Sequence, residues 1–336
     1  MDYNVKYLLL LAGFVLSVTC MAERLYVSPQ GSVNATGTNW NSTLTLNAAL
    51  ARSEKGDEIW TLRGTYLLNQ AEGRSATFNI PAGVRVYGGF NGTEAGTDQR
   101  GNNTYSVLSG EMGTRGDLSD NAFTVVTMLS DAGSVSTLDG FTVRDGSARN
   151  FLDGINKGSA GGGLYIAAGS RLSTHLITNC LFTNNKAHNG GAVLVDSGRP
   201  SFFNCEFKNN SADFNGGAVY NKGIATVASP IFRNCTFEFN SSNSGAGMTN
   251  NGSNGSANPL VLNCAFVDNT SLMNGAAIYN ITNDNGEAEP VLEGCSFIGN
   301  ESILGDEVSG RGVSRPVAAL AGQKSGGSLR PVARKK

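Results

Sequence analysis

Five cysteines, Cys180, Cys205, Cys235, Cys264 and Cys295, each stand two residues before a phenylalanine and five before an asparagine. The phenylalanines are Phe182, Phe207, Phe237, Phe266 and Phe297, and the asparagines are Asn185, Asn210, Asn240, Asn269 and Asn300. A fixed internal period constrains a fold more than any single motif, because each unit must then pack chiefly on its neighbours. A small-residue patch follows at a nearly constant offset: Gly190-Gly191-Ala192, Gly216-Gly217-Ala218, Ala246-Gly247-Met248 and Gly275-Ala276-Ala277, with an earlier relative at Gly161-Gly162-Gly163. Apolar residues then run to a second polar corner, as in "AVYN" ending at Asn221 and "AIYN" ending at Asn280.

Within "NCEFKNN" the alternation sends Cys205 and Phe207 to one face and Glu206 and Lys208 to the other, the period of a half-buried strand. Asn210 ends that strand, and asparagine tolerates the left-handed backbone of a sharp corner. Each unit, 25 to 31 residues long from cysteine to cysteine, thus contains two or three short strands divided by asparagine and glycine turns. Such units wind into a solenoid: an all-β, single-stranded, right-handed parallel β-helix, one unit per coil. Coils stack at the strand spacing of about 4.8 Å, which lays like residues over like, in interior columns of phenylalanine and cysteine and in asparagine ladders.

An exported chain with several cysteines ordinarily suggests disulfides. Here parallel side chains on adjacent coils keep Cβ atoms about 4.8 Å apart, beyond the disulfide range, and an odd number of thiols cannot all pair. The expectation is a column of buried free thiols. There is no CxxC, and the two histidines, His175 and His188, do not repeat, so no metal site is expected.

The chain has 44 glycines, only 15% charged residues and a net charge of −2, a balance of many turns that gives no reason to expect nucleic acid as a partner. Residues 1–22 carry one lysine, an apolar run from Tyr7 to Val18 and small residues ending at Ala22, the order of an export signal. Cys20 as a lipid-attachment site is the alternative. No later segment is apolar enough to cross a membrane. The expected organisation is a signal peptide over residues 1–22, the β-helix over 23–308, and a basic tail over 309–336. That tail loses the periodicity and is expected to be disordered, or to mark a truncated or frameshifted relative.

Between signal and repeats, "STLTLNAALARSEKG" reads as a short helix with Ser42 or Thr43 as cap, apolar or small residues at Leu44, Ala48 and Ala51, and Gly56 as stop. It is a candidate N-terminal capping helix, since a solenoid must cover the edges of its first coil.

The paired "GGA" and "FxxN" motifs, as in Gly190-Gly191-Ala192 and Phe207 to Asn210, resemble the repeats of chlamydial polymorphic outer-membrane proteins. The opening "YVSPQGS…GTNW…AALA…GDEIWTLRGTY", then "VYGGFNGTE" and "LDGFTVRDG", resembles the start of secreted right-handed β-helix proteins of the pectate-lyase-like fold common in Bacteroidetes. The likenesses cover roughly residues 24 to 305. They imply an extracellular, outer-membrane or cell-surface protein of a Gram-negative bacterium. Fold, however, does not fix function.

Enzymes of the pectate-lyase-like fold use acidic calcium ligands with an arginine or lysine base, or clustered aspartates with a histidine. Arg199-Pro200 lacks the second arginine of the lyase pattern, and neither histidine sits in a Gly-His-Gly setting. The best polar cluster is Asp139, Arg144, Asp145 and Asp153 in "LDGFTVRDGSARNFLDG". It is a candidate carbohydrate or calcium contact, although each aspartate precedes a glycine and reads equally as turn chemistry. The expected function is that of an exported, non-enzymatic, adhesin-like β-helix contacting a glycan, host or surface polymer, with no catalytic residues, metal or cofactor. The alternative is a polysaccharide lyase or glycoside hydrolase with an unfamiliar site, in which case calcium enters.

Overall fold

The computed structural model describes residues 22–101, 106–128, 133–149, 159–166, 174–283 and 285–310. The signal segment 1–21 and the tail from 311 onward lie outside the described residues.

One coil shows the construction. Ser201–Phe203, Glu206–Lys208, Ser211–Asn215 and Val219–Lys222 are strands on four successive faces, hereafter the first to fourth. Each unit therefore holds four strands rather than two or three, because the asparagine corners are single-residue bends too tight to count as loops. Stacking the coils builds four sheets of nine, eight, six and eight strands in that face order, and all the strand pairings are parallel, coil on coil.

The middle residue of each short strand on the first two faces points inward. Phe182, Phe207, Phe237, Phe266 and Phe297 stack down the second face with ring centroids 5.3, 4.8, 4.5 and 5.2 Å apart and planes within 11° of parallel. Phe202 and Phe232 stack on the first face at 4.8 Å and meet the second column edge to face. Such pairs contribute roughly 0.5–1.5 kcal/mol each beyond the area they bury. Cys180, Cys205, Cys235, Cys264 and Cys295 are buried and free, in the same core. Burial pushes the Cys205 thiol well above its usual range, as expected of a small hydrophobe without a cation nearby.

The corner after the phenylalanine strand corrects the sequence reading. The left-handed residue is not Asn210 but its predecessor, Asn209 (φ 56°), and likewise Asn184 (φ 55°), Phe239 (φ 53°), Asp268 (φ 49°) and Gly299 (φ 63°) in the other coils. Asn210 is freed to point inward, where it is almost fully buried. Its Oδ1 accepts the backbone N–H and the Nδ2 of Asn185, and its own Nδ2 donates to the Phe182 carbonyl of the preceding coil and to Asn240 Oδ1 of the next. The same set recurs at Asn240, Asn269 and Asn300, where the last Nδ2 donates to Glu307 Oε1 at 2.6 Å. Each amide of this column thus has all its hydrogens bonded, the condition for keeping a polar group in an apolar core.

The small-residue patch is also shifted in one coil. The register Val219↔Met248 makes Gly245-Ala246-Gly247 the equivalent of Gly190-Gly191-Ala192, one residue earlier than sequence matching places it. Only its first position is always glycine, at φ 62°, 67°, 66° and 56° for Gly190, Gly216, Gly245 and Gly275, a left-handed bend that glycine adopts without steric cost.

The N-terminal helix spans Leu46–Arg52 and is capped by Thr45, whose side chain accepts from the Ala48 N–H, rather than by Ser42 or Thr43. Its buried face is Leu46, Ala49 and Leu50, at the i, i+3, i+4 spacing; Ala51 is exposed. It ends at Ser53, short of Gly56, and packs on the strands Arg24–Val27, Glu58–Leu62 and Phe78–Ile80, covering the first coil.

Replacing Asn210 by alanine strands the Asn185 N–H, an Asn185 amide hydrogen and the Phe182 carbonyl. At about 1–3 kcal/mol per orphaned buried group, Asn210→Ala lowers stability by roughly 3 kcal/mol or more in urea unfolding. Phe239→Asn acts in the other direction. A bulky residue at positive φ costs about 1–2 kcal/mol, the ring is exposed, and asparagine fills this place in two other coils, so a gain of about 1 kcal/mol is expected in the same assay.

Candidate functional site

Of the residues that the sequence singles out, the structure sets Asp139 apart from Arg144 and Asp145, which lie together. Asp139 closes a first-face strand just before the corner at Gly140 (φ 80°). Both its oxygens are engaged within the protein: Arg100 Nη2 lies 2.7 Å from Oδ2, and Asn179 Nδ2 donates to Oδ1 at 2.9 Å. Because Arg100 also donates to the Gly88 carbonyl, Asp139 serves to fasten the segment around Thr97–Gln99 to the sheet. Arg144 and Asp145 stand at the far end of the following strand, Phe141–Arg144. Asp145 is itself left-handed (φ 64°), accepts from Ser109 Oγ at 3.2 Å, and lies 3.2 Å from Arg144 Nε. Burial raises the Asp145 carboxyl, against the lowering pull of Arg144 and Ser109. Asp153 lies outside the described residues. Asp139 and Asp145 therefore sit at opposite ends of one strand, each doing corner work.

A different arrangement gathers around the place where the third sheet begins. Ser147–Ala148 is its first strand, paired with Lys186–Asn189 in the next coil, so that Ser147 stands over Lys186. In front of this edge lies a cleft of about 370 Å³ lined by Arg74, Leu118, Ser119, Ser147, Arg149 and Lys186. Arg74 belongs to the 3-10 turn Gln70–Ser75. Its Nε donates to the Asn121 carbonyl at 2.7 Å and its Nη2 to the Ser147 carbonyl at 3.0 Å, and the guanidinium lies 4.4 Å from the Phe123 ring centroid. Burial lowers its pKa, partly offset by Asp120; a guanidinium remains charged under any ordinary condition.

Arg149 Nε lies 2.8 Å from Asp213 Oδ2, which also lies 2.8 Å from His188 Nδ1. Lys186 has no ion-pair partner among the described residues. The cleft thus presents two guanidinium groups, one of them balanced by Asp213, and an ammonium group, with Ser119 and Ser147 beside them. That donor set suits carboxylate, sulfate or phosphate oxygens. Among the described residues no three His, Cys, Asp or Glu side chains converge as a metal-ligand set.

Sequence alone does not single out Arg74, Arg149 and Lys186, because none is a residue type that recurs from unit to unit. A signal for Lys186 was present nonetheless. Its column continues as Ser211, Ser241, Thr270 and Glu301, so the lysine is the sole cation in a file of small polar or acidic residues. Arg74 carries no such mark, since its place over Ser147 depends on the fold of a loop outside the periodic region.

His175 is fully buried immediately before the first-face strand Leu176–Thr178. Burial lowers its pKa to about 4, from an ordinary value near 6.5. The folded-state value is depressed, so the unfolded chain binds more protons between these limits. The stabilisation from keeping the ring neutral is complete above about pH 6.5 and lost as pH falls towards about 4, up to roughly 3 kcal/mol. Denaturant unfolding across this window should show the loss, and His175→Asn should remove this contribution to the pH dependence.

Residues 134–302 match the family model described as a right handed beta helix region. No curated protein sequence matches significantly. The crystal structure of pectate lyase Pel9A aligns with a TM-score of 0.50 over 87% of this chain and 79% of that one, at 12% identity, a likeness of fold.

Proposed function

The chain belongs to the right-handed β-helix family, and from that premise we propose that it is an exported, non-enzymatic extracellular or cell-surface protein that contacts an anionic polymer. In this reading residues 1–22 are a leader removed on export, 23–308 form the working solenoid, and the host is a Gram-negative bacterium, as the export-signal order and the likeness to polymorphic outer-membrane repeats suggest. Binding is adhesin-like: moderate contacts add along a repetitive surface.

The observation that carries this reading is the cleft where Arg74, Arg149 and Lys186 meet at the first edge of the third sheet. An acidic polysaccharide is the preferred partner class, because its carboxylates or sulfates recur along a chain while its hydroxyls suit Ser119 and Ser147. The reading needs neither metal nor cofactor; calcium enters only with the enzymatic alternative.

The test is titration calorimetry of the purified chain with uronate-containing, sulfated and neutral polysaccharides, with and without calcium, with product analysis on the same samples. Salt-sensitive binding to the anionic polymers is expected, with Lys186→Met weakening it roughly tenfold, as for loss of one charge-assisted hydrogen bond. Equal affinity for neutral polymers, or none for any, would remove the cleft from the proposal. Release of unsaturated products or new reducing ends would replace the binding role by a polysaccharide lyase or glycoside hydrolase.

A further inference from the structure

On the third face the coils bring one carboxylate between an arginine and a histidine. Ser147↔Lys186 and Ala148↔Ala187 are in register, so Arg149 follows in the coil directly before His188. Between Ala187↔Ala212 and Asn189↔Asn215 the register shifts, and there the single residue His188 faces both Asp213 and Phe214 of the next coil. Asp213 Oδ2 lies 2.8 Å from Arg149 Nε and 2.8 Å from His188 Nδ1. The His188 side chain is 4% exposed and its ring packs 5.7 Å from that of Phe214, while the Arg149 side chain is 44% exposed and lines the cleft. One oxygen thus serves a guanidinium open to the cleft and an imidazole held behind it.

Histidine is the side chain whose charge ordinarily changes between about pH 5 and 8. The charged groups around His188 are Arg149 from the coil before, Asp213 from the coil after and Lys186 on its own strand, and its backbone N–H donates to the Ser159 carbonyl. While the ring is neutral, Arg149 balances the charge of Asp213 and is held back from a ligand. Once protonated, the ring balances that carboxylate itself, and Arg149 can exchange Asp213 for an oxygen of an anion in the cleft. Arg149 and Lys186 repel the added proton, and a bound anion relieves the repulsion. Proton and anion therefore favour one another by the same factor.

We propose that His188 and Asp213 couple the cleft to pH: anionic polymer binds more tightly as His188 takes up a proton and Arg149 passes from Asp213 to the ligand. The coupling rests on the polymer-binding reading of the cleft and supplies its regulation. Of the two histidines only His188 serves, because burial lowers the pKa of His175 to about 4.

The test is titration calorimetry of the full chain at low salt with dextran sulfate, whose sulfates keep their charge throughout, at about pH 8 and about pH 5.5. Affinity should rise roughly tenfold at the lower pH, and titrations in buffers of different ionisation heat should show net proton uptake on binding. His188→Gln should bind at both pH values as the parent does at the higher one, without proton uptake. Asp213→Asn leaves the ring in place and frees Arg149 at every pH, so at the higher pH it should bind about as tightly as the parent does at the lower. Equal parent affinity at the two pH values, or the full rise retained in either variant, would overturn the coupling and leave the cleft's binding role standing. Absence of binding at both pH values would remove that role and the coupling with it.

Discussion

In-register parallel pairing from coil to coil is the constraint on which this molecule depends, and the buried asparagine amides hold it. A parallel strand stacked on its copy could slip by two residues and still bury an apolar face. The amide of Asn210 forbids the slip, because its hydrogens and its oxygen find partners only when Asn185 and Asn240 lie directly above and below. Phenylalanine stacking and thiol burial supply apolar contact, but a ring tolerates small displacements that a fully bonded amide does not.

The division of labour within the corner follows from this. A left-handed residue turns the chain, and the next residue locks the coil to its neighbours. The turning position accepts asparagine, aspartate, glycine and even Phe239, since only its backbone matters. The locking position is asparagine each time from Asn185 to Asn300. A feature that gives individuality, the cationic cleft, lies at the first edge of the third sheet, where the stack of equivalent third-face strands begins.

What could be read from the sequence was what repeats. The Cys-x-Phe-x-x-Asn spacing gave the parallel solenoid and its interior columns, because equal spacing and equal burial are one statement in a stacked fold. The roles inside a corner were less visible: Asn209 and Asn210 are the same residue type side by side, and only backbone geometry shows which turns and which locks. The patch at Gly245 was displaced for a related reason, as small residues on both sides allow two alignments and the register Val219↔Met248 decides between them. The helix cap at Thr45 lay among several hydroxyl residues. Sequence proximity did not show how the polar residues are placed: Asp139 and Asp145, six residues apart, stand at opposite ends of one strand, whereas Arg74, Arg149 and Lys186 are distant in sequence and meet only through coiling.

The asparagine ladder also has a direction. Every Nδ2 that bonds along it donates towards the following coil, so the amide dipoles add like magnets laid nose to tail, and the positive pole meets the carboxylate of Glu307. The column is therefore vectorial. A further coil could be spliced in head to tail with its asparagine joining the file, while one inserted upside down would set donor against donor, which gives grafting of such modules a single permitted sense.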